Sequence, residues 1–360
     1  MIEDLRLYAG TQHGLLVWRT RKGSWEQVCH EFPDGVIDTI AGCAQQPQRV
    51  YAAVAWDGVY RTDDGGVHWR RIIEGEVRAI TVDPTDDSVI YVGTEPVHLY
   101  RSGDRGDHWE ELTSLLELPE EVRKKWWTPY PPATGHVRHI FVHGDDPNLL
   151  GLCLEHGGVL RSFDRGQTWE DVSAGIDYLD MHMLKSLPHS KSRFYVTSAR
   201  GFFTSEDPAD GWVRAETGLD RSYSHDFLFL DPMRPGEAPT MLIATADGSP
   251  GFWRREERGA RSAIFRSDDE AASWQRVGEG LAHDMDQMVW SLARHPSDPS
   301  AVFAGIGATN RGQTIDTSSA ASAALTDAPG EILLSRDRGS SWERLPIEMP
   351  ANRVLWAARD

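Results

Sequence analysis

Cysteine is scarce in this chain: three in 360 residues, at Cys29, Cys43 and Cys153. The set is odd, scattered and without metal-ligand spacing, which excludes a disulfide framework and a local zinc motif. Reduced core thiols are expected. No run approaches eighteen apolar residues, so no helical membrane span is expected. The opening Met1-Ile2-Glu3-Asp4-Leu5-Arg6 carries two acids and no apolar segment. That pattern argues against a signal peptide and for a cytoplasmic location. Positive charge is in deficit too. Against 55 Asp and Glu stand 37 Lys and Arg, a net charge of −18, which disfavours nucleic acid and anionic membranes as partners. Apolar residues are plentiful: at 40%, with 14 Trp, they suffice for a sizeable core.

The tryptophans recur in one phrase. It reads Thr62-x-Asp64-x-Gly66-x-x-Trp69, Ser102-x-Asp104-x-Gly106-x-x-Trp109, Ser162-x-Asp164-x-Gly166-x-x-Trp169 and Ser335-x-Asp337-x-Gly339-x-x-Trp342. Two copies put Ala in place of Gly, Ser205 to Trp212 and Ser267 to Trp274, and a shortened seventh runs from Thr20 to Trp25. Repetition at roughly 40-residue steps means an array of like units. Each copy follows a short apolar strand and leads into another, so it reads as a hairpin turn. The carboxylate accepts from turn amides, the hydroxyl makes a second local bond, and glycine supplies a positive φ. The Trp is expected to pack across the hairpin it closes.

These copies resemble the Asp-box, or bacterial neuraminidase repeat, of sialidases and related propellers. The resemblance implies an all-β propeller whose boxes are structural and remote from chemistry. With the box between strands C and D of a four-stranded blade, strand A should lie upstream, as in Val77-Arg78-Ala79-Ile80-Thr81-Val82. Blade 1 lacks that strand, and Arg353-Val354-Leu355-Trp356 follows the last box without starting a new blade. The C-terminal strand is therefore expected to complete blade 1 and close a seven-bladed ring without exposed edges. The expected blades are 1–28 plus 349–360, then 29–72, 73–112, 113–172, 173–215, 216–277 and 278–348, forming one domain over 1–360.

Insertions at 113–135, 246–262 and 307–330 all fall in loops of one face, the usual place for a ligand. The last is rich in Ser, Thr and Ala from Thr314 to Asp327 and reads as a lid or a short helix. The start of each strand A should rim a central funnel with Asp38, Arg78, Arg138, His182, Asp226, Trp290 and Arg353. Two chemistries suit so polar a ring. In one, His136, His139, His156, His182 and His225, with Glu155 or Asp226, hold a divalent transition metal as cofactor. In the other, Glu155, Asp226, Asp180 and Asp38, with His182 and His225, do acid/base work. Arg78, Arg138 and Arg353 then clamp an anionic group, while Tyr178, Tyr223 and Trp290 bind the remainder of the substrate.

A sialidase would carry a Phe/Tyr-Arg-Ile-Pro signature and six blades, and this chain has neither. The expectation is therefore a cytosolic hydrolase or lyase acting on a small polar or anionic molecule, such as a sugar derivative. The alternative is a non-catalytic binding or assembly scaffold resembling the photosystem II assembly factor. Substrate, reaction, metal and oligomeric state stay open at this level.

Overall fold

Short β-rich runs with apolar residues on both faces call for sheets stacked face to face. In the computed structural model, which describes residues 5–129, 133–255, 259–307 and 329–360, seven four-stranded sheets form. They are the blades of a seven-bladed β-propeller. The A strands of blades 2 to 7 are Ile37–Gly42, Val77–Val82, His136–His143, Met181–Ser186, Tyr223–Leu230 and Met288–Arg294. Blade 1 takes its own from the C-terminus: Asn352–Arg359 pairs antiparallel with Leu5–Thr11, Tyr8 opposite Trp356 and Gly10 opposite Val354. The outer strand of blade 1, Ser24–Glu31, and that of blade 2, Arg70–Glu74, run two or three residues past the expected blade boundaries.

One irregularity recurs. In six A strands the ladder slips by one residue, and the unpaired residue is the expected rim position. Arg78 lies between paired Val77 and Ala79, Arg138 between Val137 and His139, and His182 between Met181 and Met183. His225 and Asp226 share a slip, Trp290 lies between Val289 and Ser291, and Arg353 between Asn352 and Val354. An extra residue in one strand of a pair bends the strand and re-aims its side chain. The bulge thus takes each of these residues out of the regular alternation of its strand.

The repeated turns share one hydrogen-bond pattern. In the copy beginning at Ser162, the hydroxyl donates to Asp164 Oδ1 at 2.8 Å and accepts from Gly166 N at 2.8 Å. Asp164 in turn accepts from Thr168 N and Oγ1 at 2.8 and 2.7 Å. The copies at Ser102, Ser267 and Ser335 repeat these contacts. The Ser205 copy departs: Asp207 caps a one-turn 3-10 helix, Pro208–Asp210. Trp342 Nε1 donates to Gly339 O of its own turn at 2.9 Å, but other tryptophans depart from expectation. Trp109 Nε1 donates to Ile72 O of the preceding blade at 3.1 Å, and Trp212 Nε1 to Val172 O at 2.7 Å. They staple one blade to the one before, because the hairpin is too thin to bury an indole by itself. Gly166, in blade 4, has φ +86, and a Cβ there would lie 2.8 Å from Leu112 Cδ1 at the end of blade 3.

The first insertion is core. It holds a 3-10 turn, Thr113–Glu117, and a helix, Glu120–Arg123, whose Leu115, Leu118 and Val122 join the apolar cluster of blades 3 and 4. The second carries a helix, Pro250–Arg255, with Trp253 fully buried, and is fastened by Arg261 to Asp284 and Asp247. Most of the third, including Thr314 to Asp327, lies outside the described residues. The cysteines form no disulfide, and burial first, then the Glu31 charge, pushes the Cys29 thiol up to about 12. Among the described residues no helix is long and apolar enough to cross a membrane.

The chain divides into two compact units. Met1–Ile40, Asp64–Val67 and Ala215–Asp360 hold blades 1, 6 and 7. Ala41–Asp63 and His68–Arg214 hold blades 3, 4 and 5 and most of blade 2.

Candidate functional site

The bulges of blades 3, 4 and 5 bring a row of charged and imidazole side chains together in the second unit. Arg78 is 1% exposed and donates from Nε to Glu95 Oε2 at 2.7 Å, while its Nη1 lies 3.0 Å from Glu76 Oε1. Both carboxylates come from loops next to the bulge, so the guanidinium is neutralised where it is buried. The other side of Glu95 Oε2 faces His136 Nδ1 at 3.8 Å. His136 is fully buried, and its Nε2 lies 2.9 Å from Glu155 Oε2, which also faces Arg138 Nε at 3.6 Å.

A second carboxylate is also flanked by imidazole. Asp180 precedes the A strand of blade 5 and faces two imidazoles, His156 Nε2 at 3.6 Å and His182 Nε2 at 3.4 Å. Tyr178 connects the groups. Its ring meets that of His156 edge-on at 5.9 Å, and the Arg200 guanidinium lies 4.1 Å above it. The phenol pKa is raised, first by burial and then by the Asp180 charge; Arg200 opposes the shift and Glu155 adds to it. Trp127, from the first insertion, is 53% exposed, and its backbone N–H donates to His156 O at 3.2 Å.

His139 stands apart from this row. Its Nδ1 accepts from Leu184 N at 3.4 Å, and burial first, then the charges of Lys185 and Arg138, pushes its pKa down to about 3. It is a neutral structural imidazole. The remaining expected site residues belong to the first unit. Asp38 pairs with Arg353 at 3.8 Å, and Asp226 Oδ2 accepts from Leu292 N at 2.8 Å. His225 Nδ1 lies 3.0 Å from Trp290 O, with the two rings edge-on at 4.8 Å. Tyr223 packs edge-on against Trp253 at 5.4 Å. Among the described residues no group of three or more His, Cys, Asp and Glu side chains is placed to hold a metal ion.

The expected anion clamp is altered by its partners. Arg78, Arg138 and Arg353 each face a carboxylate, of Glu95, Glu155 and Asp38 respectively, and Arg78 is too deeply buried to meet a ligand. Sequence reasoning passed over Glu76, Arg200 and Trp127. Glu76 sits two residues before the rim arginine, a spacing that hints at pairing. Nothing local marks Arg200 or Trp127, because each gains its meaning from a neighbouring strand or turn.

No family model matches the chain. A xyloglucanase of a Paenibacillus species is 23% identical over 330 residues, covering 76% of this chain and 30% of that protein. The chain thus spans about a third of the length of this curated relative. A solved GH74 enzyme from Niastella koreensis superposes with a TM-score of 0.63 at 14% identity, over 86% of this chain and 45% of that one. YCF48 from Cyanidioschyzon merolae superposes with a TM-score of 0.52 at 13% identity, over 88% and 87% of the two chains. At these identities the superpositions establish the propeller fold alone.

Proposed function

We propose that blades 4 and 5 carry the site of a glycoside hydrolase acting on a neutral glycan, with Glu155 and Asp180 as its two carboxylates. The observation that carries the reading is geometric: Glu155 and Asp180 are each flanked by imidazole, His136 at the first and His156 with His182 at the second, and the Tyr178 ring packs edge-on against His156. Glycosidic bonds break between two carboxyl groups, one giving a proton to the leaving oxygen and the other assisting attack at the anomeric carbon. His136 orients Glu155, and His156 with His182 orients Asp180. The carboxylate-paired arginines favour a neutral ligand over an anionic one, and the exposed Trp127 offers an apolar face for a sugar ring. The xyloglucanase similarity supports the same substrate class. The shared turn geometry supports the Asp-box resemblance and keeps the boxes out of the chemistry.

Glu155→Gln and Asp180→Asn should each lower hydrolysis of xyloglucan or a related neutral β-glucan by roughly a hundredfold or more, with folding intact by circular dichroism. Full activity in either variant, or a wild-type protein inert on every neutral glycan tested, would sink the reading. One observation favours a second reading. The match to YCF48 spans 87% of that chain, a single propeller of similar extent. A binding or assembly scaffold of that type would bind a protein partner undiminished in both carboxylate variants.

A further inference from the structure

We propose that Trp56, on the B-to-C turn of blade 2, is a stacking platform for a further sugar unit, so that the ligand is a chain spanning several blades. The inference rests on the glycan reading above and goes beyond it, since it concerns a blade that holds neither carboxylate.

The backbone supplies the first argument. Non-glycine residues in the left-handed region include Arg105, Arg165 and Arg338, all inside the repeated turns, whose own hydrogen bonds account for them. Trp56, at φ 58, and His156, at φ 54, lie instead on B-to-C turns, each two residues before a glycine that opens strand C. Trp56 therefore occupies in blade 2 the position that His156 occupies in blade 4. Glycine or asparagine would adopt this conformation without the steric cost that an indole bears. A strained backbone under a large side chain points to a use for that side chain.

Exposure is the second argument. The indole of Trp56 is 56% exposed, so packing does not explain its presence. The turn is nevertheless held firmly. The Trp56 N–H donates to Glu76 Oε2, and Glu76 Oε1 faces Arg78, which pairs with Glu95. Glu95 faces His136, and His136 faces Glu155. A continuous row of side chains thus joins the Trp56 turn to the proposed reacting carboxylate. The exposed Trp127 is tied by its backbone N–H to His156 O, the residue after Glu155. Exposed indoles accept the C–H faces of sugar rings, and carboxylates accept their hydroxyls. Arg78, Glu95 and His136 are buried, so the row between them fixes the turn and does not itself meet a ligand, while the exposed indoles of Trp56 and Trp127 suit separate units of one chain.

Binding of cello-oligosaccharides by isothermal titration tests the proposal. Trp56→Gly should weaken cellohexaose binding about tenfold, the size of one aromatic stacking contact. Cellobiose affinity should stay unchanged, and the melting temperature should hold or rise as the strain is relieved. Trp56→Phe should keep most of the cellohexaose affinity, whereas Trp56→Leu should lose it. Cellohexaose affinity unchanged in Trp56→Gly, or equal in the Phe and Leu variants, overturns the platform alone. A wild-type protein that binds neither cello- nor xyloglucan oligosaccharides overturns the glycan reading and the platform together.

Discussion

His139 shows how little a residue type says before its surroundings are known. As a residue type it suits a metal ligand, yet its Nδ1 is engaged by Leu184 N, and burial, then the nearby charges of Lys185 and Arg138, push its pKa down to about 3. The linkage has a definite sign. The unfolded imidazole binds its proton below about 6.5 and the folded one does not, so acid favours the unfolded chain. Stability contributed by this site is complete above about pH 6.5 and is lost as the pH falls toward the folded value. His139→Gln, which keeps an acceptor for Leu184 N, should flatten the dependence of melting temperature on pH across that window. An unchanged slope would place the acid sensitivity elsewhere. The Asp164 carboxyl has the same sign at lower pH. Partial burial works against its ionisation, but hydrogen bonds from Thr168 and Ser162 outweigh this and hold its pKa below the usual carboxylate range. Its contribution is present above the unfolded carboxylate pKa and is lost as the pH falls through the folded one.

At the scale of one element, the repeated turn is both a local and a long-range device. Its hydroxyl and carboxylate satisfy turn amides within eight residues, which is why the pattern was readable as a hairpin. Its Trp and Gly face the preceding blade, which the pattern does not reveal. Asp164→Ala removes acceptors for Thr168 and Ser162 and should cost about 1–3 kcal/mol of unfolding free energy, while leaving glycan hydrolysis near the parental rate. A selective loss of hydrolysis at unchanged melting temperature would contradict the structural role. Trp212→Phe keeps an aromatic ring but orphans Val172 O, and should cost about 1–3 kcal/mol in denaturant titration. If the staple to blade 4 were idle, the two proteins would unfold at the same denaturant concentration.

For the molecule as a whole, closure depends on one late segment. Asn352–Arg359 lies along Leu5–Thr11 and also buries Leu355 and Ala357 in the apolar cluster shared by blades 1 and 7. Deleting residues 352–360 would bare the edge of Leu5–Thr11 and open that cluster. The truncated chain should aggregate or melt many degrees below the parent. A melting temperature within a few degrees of wild type would show that blade 1 is stable as a three-stranded sheet.

Seven blades, the place of the turns between strands C and D, and the return of the last strand to blade 1 were legible in the sequence. Each rests on short-range periodicity and on turn chemistry completed within a few residues. Six of the seven aligned A-strand positions also coincide with a bulge, because aligned strands put their irregularities at aligned residues. What those residues do was not legible. Arg78 reads as an anion clamp until Glu76 and Glu95 close on it, and His182 reads as a metal ligand until Asp180 stands between it and His156. Charge pairing is decided by side chains from separate strands and loops meeting within about 4 Å, and only the tertiary structure brings them to that distance.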